Sequence, residues 1–384
     1  MDALPAELVE HVLASSPEIL GPRDIINVGA CSKRLWDAVR RSQRIWKGQF
    51  RRRFPSLYRG RDAGADWHER YVARVLCERR CAAAVGGFSA AFWHCEDIGD
   101  SDIEPKMAGL VGEFGPAVLL DSLRQLNRAW APQHLTLRYY GLRALEWLQK
   151  TRLTVEMRAL LEHRSGGGGE EEEEGETVMR ALAIAAQWFQ PEKTVDYEAI
   201  ERWLDAAAKR TLRRLADKKV FGPGRLAEKR WASRIEACQV MDAVSHVMFA
   251  ELGLKGNTDN YYDMRNSFID EVLERGLGIP IMLSLLFMSV AARVGLTLRP
   301  SNLPGHFMLR LEVGDEGAGA AAKDFLYVDA FNGGKAMSCF EVMALVKRLA
   351  GDDVNITDDC IMLVPSPRQV LIASNFYGLL PHMD

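Results

Sequence analysis

No apolar run in this 384-residue chain is long enough to cross a bilayer: the stretch from Ile281 to Ala292, broken by Ser284 and Ser289, falls short of the roughly 20 residues required. Nor does a charged leader with an apolar core open it, so neither secretion nor membrane insertion is expected. The expected location is intracellular, cytoplasmic and/or nuclear, with no membrane partner. Excess charge is also lacking: 49 basic residues nearly balance 52 acidic ones, for a net charge of −3. That balance carries no electrostatic footprint for nucleic acid. Cysteine is sparse, and its seven copies are odd in number and scattered, which argues for reduced thiols rather than a disulfide framework. The one grouping, Cys77-x-x-x-Cys81 with His94-Cys95, matches no zinc spacing and reads as half-buried helical cysteine. Neither a metal nor any other cofactor is expected.

What is present is an ordinary globular composition, 48% hydrophobic and 26% charged, at a length suited to two or three domains. The first fifty residues carry Leu4, Leu8, Val12 and Leu13 at helical spacing, then Ile25, Val28, Cys31, Leu35 and Val39, then Ile45-Trp46 as an aromatic anchor. A unit this small with so much apolar face is marginal alone and usually completes its burial against a partner. Leu4-Pro5, Val12-Leu13, Asp24-Ile25, Cys31-Ser32 and Ile45-Trp46 together resemble an F-box. The loop ASSPEILGPR is longer than the common form, and Leu35 stands where Trp is frequent. The resemblance implies docking on a Skp-type adaptor, and through it a cullin-RING ligase. The implied contacts are Leu4, Pro5, Leu8, Val12, Leu13, Ile25, Val28, Cys31, Leu35, Ile45 and Trp46. The plainer alternative is a helical subdomain packed on its own neighbours. Arg51-Arg52-Arg53 reads as a solvated helix end that complements the dipole rather than as a phosphate patch.

Residues 1–57 are thus expected to form an F-box three-helix unit and residues 58–164 a helical connector in which Tyr139, Tyr140 and Trp147 serve packing. SGGGGEEEEEGE, residues 165–176, reads as a flexible, self-repelling linker. Residues 177–384 open on three amphipathic helices, and His246 on the last of these reads as a satisfied core histidine. Two further helices are expected after Gly334, in SCFEVMALVKRLAG and PSPRQVLIASNFYGLL. The fold class expected is mainly α, with an α+β C-terminal domain.

Within that last part lies the chain's one chemistry-bearing constellation. Pro280 opens a helix, IMLSLLFMSVAARVGL, that is apolar on nearly every side and therefore buried. GHFMLRL and DFLYVDAF then alternate with period two across a soft loop and read as a β-hairpin. Pairing in which position numbers sum to 635 would set Phe307 and Leu309 against Val328 and Leu326, and His306 against Asp329. An imidazole oriented by a carboxylate beside a buried helix start is the layout of a nucleophile site. GNTDNYYDMRNSFIDEVL, dense in loop-fixing Asn and Asp, would line the same cleft.

Gly278-Ile279-Pro280, Pro304-Gly305-His306-Phe307 and Tyr327-Val328-Asp329-Ala330-Phe331 resemble the transglutaminase-like superfamily, notably its bacterial SirB type. The resemblance implies a papain-like domain with a buried central helix and an antiparallel sheet. Its catalytic branch carries Cys at the helix start, where this chain has Pro280. Proline offers neither a nucleophile nor an N–H for an oxyanion, so His306 and Asp329 are the remnant of a degenerate triad. Ser284, one turn on, is the weak substitute. Two readings follow: a substrate-recognition subunit of a Skp–cullin–F-box ligase whose degenerate cleft grips a target protein, or a hydrolase or transferase with a non-Cys nucleophile. F-box proteins of this order continue into a domain similar to hemimethylated-DNA-binding proteins, and the present chain is expected to end without it. Under denaturing conditions without reductant, an alkylating reagent should label all seven cysteines; a lower count would reveal a disulfide.

Overall fold

Prolines and single serines set the starts of the N-terminal helices. Helix α1 (Ala6–Ser15) follows Pro5, and α2 (Pro22–Ala30) opens on a proline in its first turn. Ser32 Oγ accepts the N–H of Leu35 and starts α3 (Lys33–Arg41); Ser42 Oγ accepts that of Ile45 and starts α4 (Gln43–Arg53). The apolar series from Ile25 to Val39 is therefore two helices, broken where the Ser32 cap offers the chain a new start. In a computed structural model, the chain is described for residues 5–15, 18–58, 64, 66–95, 97–130, 133–162, 171–229, 231, 233–303, 306–313 and 324–350. For residues 161–162, 171–176, 302, 306, 313, 324 and 349–350 the description is of backbone alone. Leu4 lies outside the described residues, as does the helix read in PSPRQVLIASNFYGLL.

Val9, Leu13, Ile25, Leu35, Val39, Ile45, Trp46 and Phe50 share one core with Phe54, Trp67 and Tyr71. The last two belong to α5 (Trp67–Phe92), which Asp66 caps through the N–H groups of His68 and Glu69. The Trp46 ring lies 5.3 Å from Tyr71, and Phe50 lies 5.4 Å from Trp67. Arg74, almost wholly buried, sets its guanidinium 4.5 Å from the Phe54 ring and 2.5 Å from Asp121. A boundary at residue 57 would thus cut through a packed core. Part of the apolar surplus of the first fifty residues is covered in cis by α5. Along the same α5, at about 1.5 Å per residue, the chain then enters a second core built with α6 (Asp100–Phe114), α7 (Pro116–Trp130) and α8 (Leu135–Glu162). Tyr140 and Trp147 are buried there, whereas Tyr139 stays 39% exposed and donates its hydroxyl to Asp97.

Residues 1–152 form one compact unit and residues 153–384 another. The second begins within α8 and continues through α9 (Glu171–Phe189), which starts inside the stretch expected to be linker. Glutamate is a good helix former and suits a helix N-terminus, so a glutamate run next to an apolar repeat extends the helix backwards. Next come α10 (Tyr197–Asp217), α11 (Pro223–Glu228) and α12 (Arg234–Ser245), with one π-helical turn at His246–Glu251. His246 on that turn is 40% exposed at its side chain and 3.5 Å from Glu251, not packed in the core as its apolar neighbours suggested. Strand β1 (Lys255–Gly256) precedes α13 (Ile269–Arg275) and pairs in parallel with β2 (Leu277–Gly278), which leads into α14 (Pro280–Arg293). Ten residues of α14 are buried, against α9, α10 and α12 on one side and the sheet on the other.

The sheet is an antiparallel meander of β3 (Arg299–Leu303), β4 (His306–Val313), β5 (Asp324–Asp329) and β6 (Lys335–Ser338), closed by α15 (Cys339–Ala350). Its hairpin register corrects the expected one by two residues: Leu309 faces Val328 and Leu311 faces Leu326. A slip of two keeps every side chain on its face, so period-two patterning cannot tell the registers apart. Leu311 lies on the buried face beside Leu309 in either register. Trp46→Ala should destabilise residues 1–152 by about 3–5 kcal/mol, with the N-terminal helices and α5 melting together in a urea titration followed by circular dichroism.

Candidate functional site

The strand β5 ends on Asp329, a 4%-exposed carboxylate that organises the turn after it. Its Oδ1 accepts the N–H groups of Phe331 and Asn332, each at 3.2 Å, and its Oδ2 accepts Asn332 Nδ2 at 2.6 Å. Gly334 N–H closes the turn on the Asp329 carbonyl at 2.8 Å. Gly333 and Gly334 carry φ of +81° and +71°, a region glycine enters without strain. The carbonyl of Gly334 also accepts Ser245 Oγ at 2.6 Å, and a Cβ on Gly334 would lie 2.4 Å from the Phe249 ring. Phe249 stands on the π-helical turn and stacks on Phe287 of α14 at 6.2 Å. The π-helical turn thus wedges an aromatic ring between the buried helix and the Asp329 turn.

The loop before α13 comes to the same place from the other side. A Cβ on Gly256 would lie 2.4 Å from the ring of Phe331, and Tyr261 meets that ring edge-on at 6.2 Å. Gly256 is paired with Gly278, two residues before Pro280, so one β-bridge brings the helix start and the Asp329 turn to a common neighbour. Asn266, fully buried, ties the loop down. Its Nδ2 donates to the carbonyls of Asn260 and Tyr261, its Oδ1 accepts Asn257 Nδ2 and Arg275 Nη2, and its own carbonyl accepts the N–H of Ile279 at the start of α14. Asp263 caps the short 3₁₀ turn that follows. Its pKa falls to about 2, first through the Arg265 side chain and then through the Arg265 N–H. With a folded value below the ordinary 3.8, its stabilisation is full at neutral pH and is lost only as pH falls toward about 2. On this rigid loop Tyr262 is 91% exposed, Met264 61% and Tyr261 43%.

Pro280 does open α14, half-buried, with Ile279 at the N-cap. Ser284 is fully buried, and its Oγ has no hydrogen-bond partner among the described residues. His306 is the first residue of β4 and pairs with Leu303; its side chain lies outside what is described. The observed register would put Met308, not His306, opposite Asp329. Cys77 and Cys81 lie 4.0 Å apart, both fully buried. The hydrogen bond from Cys81 draws Cys77 down to about 7, and the same bond pushes Cys81 up. Among the described residues no three His, Cys, Asp or Glu side chains are grouped to hold a metal, and no disulfide occurs. No described helix is long and apolar enough to cross a membrane.

The F-box-like residues divide into two sets. Leu13, Ile25, Leu35, Ile45 and Trp46 are buried in their own core, while Pro5, Leu8, Val12 and Cys31 are exposed and Val28 is half-buried. Ile26 and Trp36, 44% and 42% exposed, were not singled out from the sequence. Trp36 is next to Leu35, about 100° round α3 from the inward Leu35–Val39 row, so helical phase alone marks it as outward. Ser245 and Phe249 were also missed, whereas Asn266 falls within the Asn- and Asp-dense stretch read as lining the cleft.

Residues 198–372 match the profile of the transglutaminase-like superfamily. Over 353 residues, 89% of the chain, it is 30% identical to F-box only protein 21 of Mus musculus and, equally, to that of Homo sapiens, covering 53% of each. The chain thus spans about half the length of these curated relatives. A UPF0162 protein of Xylella fastidiosa (strain 9a5c) is 38% identical over 135 residues, 34% of this chain and 44% of the relative. No solved structure is significantly similar to the chain. Gly334→Ala should destabilise the second unit by more than about 1 kcal/mol, and by more than Gly333→Ala, since both positions share positive φ but only the first clashes with a ring. Equal losses in parallel thermal melts would remove the wedge from the account.

Proposed function

We propose that the chain is the substrate-recognition subunit of a Skp–cullin–F-box type ubiquitin ligase, working in the cytoplasm, the nucleus or both. The observation that carries this reading is the exposure of Leu8 (50%) and Val12 (49%), one turn apart on α1, on a unit whose core is already closed by α5. Large apolar side chains left outside a finished core mark a docking face. The similarity to F-box only protein 21 supports a Skp-type adaptor as the occupant and a cullin-RING assembly beyond it.

The transglutaminase-like part then holds the target protein. Pro280 brings no thiol, the Ser284 hydroxyl is sealed from solvent, and the Asp329 carboxylate braces its own turn. What this region offers outward is Tyr261, Tyr262 and Met264 on a loop held rigid by Asn266 and Asp263, and ordering such a surface in advance reduces the entropic cost of binding. A subunit of this kind acts by raising the local concentration of target lysines near a charged ubiquitin enzyme.

In a pull-down with purified Skp-type adaptor, the wild type should bind, and Leu8→Asp and Val12→Asp should each weaken binding by about 30-fold, as truncated interface anchors do. Ile45→Asp is unsuitable, because Ile45 is 2% exposed and its loss would unfold the unit. Unchanged binding by the folded double variant, or no binding by the folded wild type, would remove the ligase reading.

A further inference from the structure

At the C-terminal end of α14, about 20 Å along the helix from Pro280, the second unit holds a cavity of about 580 Å³. Its size is that of a small-ligand site. One wall is a stripe of α10, Asp205, Ala208, Lys209 and Leu212, spaced i, i+3, i+4, i+7 and so presented on one face. The other walls are the end of α11 and the last turn of α14 with the residues after it.

Two backbone positions show that the walls interlock. Lys229 adopts φ +51°, a left-handed conformation that glycine would enter at lower cost. Its side chain gives the reason for a lysine there: Nζ donates to the Arg293 carbonyl at 2.9 Å. Gly295 lies against Lys229 with φ +87°, and a Cβ there would lie 2.0 Å from the Lys229 carbonyl oxygen. Beside them, Trp231 Nε1 donates to the Val294 carbonyl at 2.9 Å. The terminal carbonyls of α14, whose dipole would repel an anion, are met by the protein's own donors.

The cavity's own lining carries three cations, Lys209, Lys229 and Arg293, against two carboxylates, Asp205 and Glu228. Asp205 accepts Arg293 Nε at 3.0 Å, and Arg293 also meets Glu201. Glu228 lies 3.9 Å from Arg225, which Glu236 engages at 2.9 Å. The two ammonium groups have no carboxylate: Lys209 has no ion-pair or hydrogen-bond partner among the described residues, and Lys229 has a neutral carbonyl. The lining also includes Ala208, Leu212 and Ala292, which are buried or half-buried.

We propose that this cavity binds an organic anion, a carboxylate on an apolar stem, with the carboxylate between Lys209 and Lys229 and the stem on Ala208, Leu212 and Ala292. Two sources share that chemistry: a free small carboxylic acid and the terminal carboxylate of a polypeptide ending in an apolar residue. The site is independent of the proposed function, since none of its residues belongs to the adaptor face or the Asp329 turn.

The test uses the full chain and hexanoate as probe, followed by calorimetry, with hexanol and hexylammonium as controls. Hexanoate should bind about ten-fold more tightly than either control, and Lys209→Glu should abolish the preference, since a like charge opposes the anion. Lys209 is exposed and has no partner among the described residues, so this variant should keep the fold, and an unchanged circular dichroism spectrum checks that. A second variant, Ala292→Phe, should fill the cavity and weaken hexanoate while leaving added inorganic phosphate without effect. No hexanoate binding by the wild type, or binding indifferent to Lys209→Glu, overturns the proposal. A pair of apolar-ended peptides, one with a free C-terminus and one amidated, separates the sources: tighter binding by the free acid assigns the polypeptide end, and equal weak binding beside tight hexanoate assigns the small acid.

Discussion

Burial of α14 is the constraint on which the second unit depends. A helix with ten buried residues and no polar face has nowhere to sit but the centre, and each neighbour must therefore present an apolar face to it. Helices α9, α10 and α12 supply one side and the β-sheet the other. The two ends of α14 are then held fixed against different loops. Asn266 receives the N–H of Ile279 at one end, and Lys229 and Trp231 take the carbonyls at the other. A rigid helix with both ends tied is what allows the Asp329 turn and the cavity beside α10 each to keep a defined shape.

In the first unit the comparable role falls to α5. It begins inside the core of the N-terminal helices, through Trp67 and Tyr71, and continues into the core of the connector, through Cys77, Cys81 and Phe88. The buried Arg74 lies between these two cores with Asp121 as its partner. Breaking one member of such a pair leaves an uncompensated charge, so the pair resists separation of the two sets of helices even where its net contribution to stability is small. With its core closed in this way, the unit leaves Leu8 and Val12 half-exposed on α1.

Pro280 satisfies the geometric demand of a helix start, because a first-turn residue needs no N–H donor. Asp329 remains necessary to the turn that ends β5, whether or not an imidazole needs orienting. Fold-level likeness therefore carries no activity, and the residues must be read one by one.

Much of this was legible in the residues alone. The buried helix, its start at Pro280, the hairpin and the helical N-terminal unit all follow from periodicity, because a 3.6-residue or 2-residue repeat of apolar side chains admits few arrangements. Local capping was readable too in principle, since Ser32 and Ser42 act within three residues of themselves. What the tertiary structure alone decided were matters of distance in the chain. The hairpin register is one, because a two-residue slip leaves the pattern unchanged. The division of the F-box-like residues into core and surface is another: Ile45 and Leu8 are equally apolar, and only the arrival of Trp67 and Tyr71 settles which is covered. The wedge of Phe249 against Gly334 and the interlock of Lys229 with Gly295 join residues more than sixty positions apart. Periodicity describes one element at a time, and those contacts exist only where two elements meet.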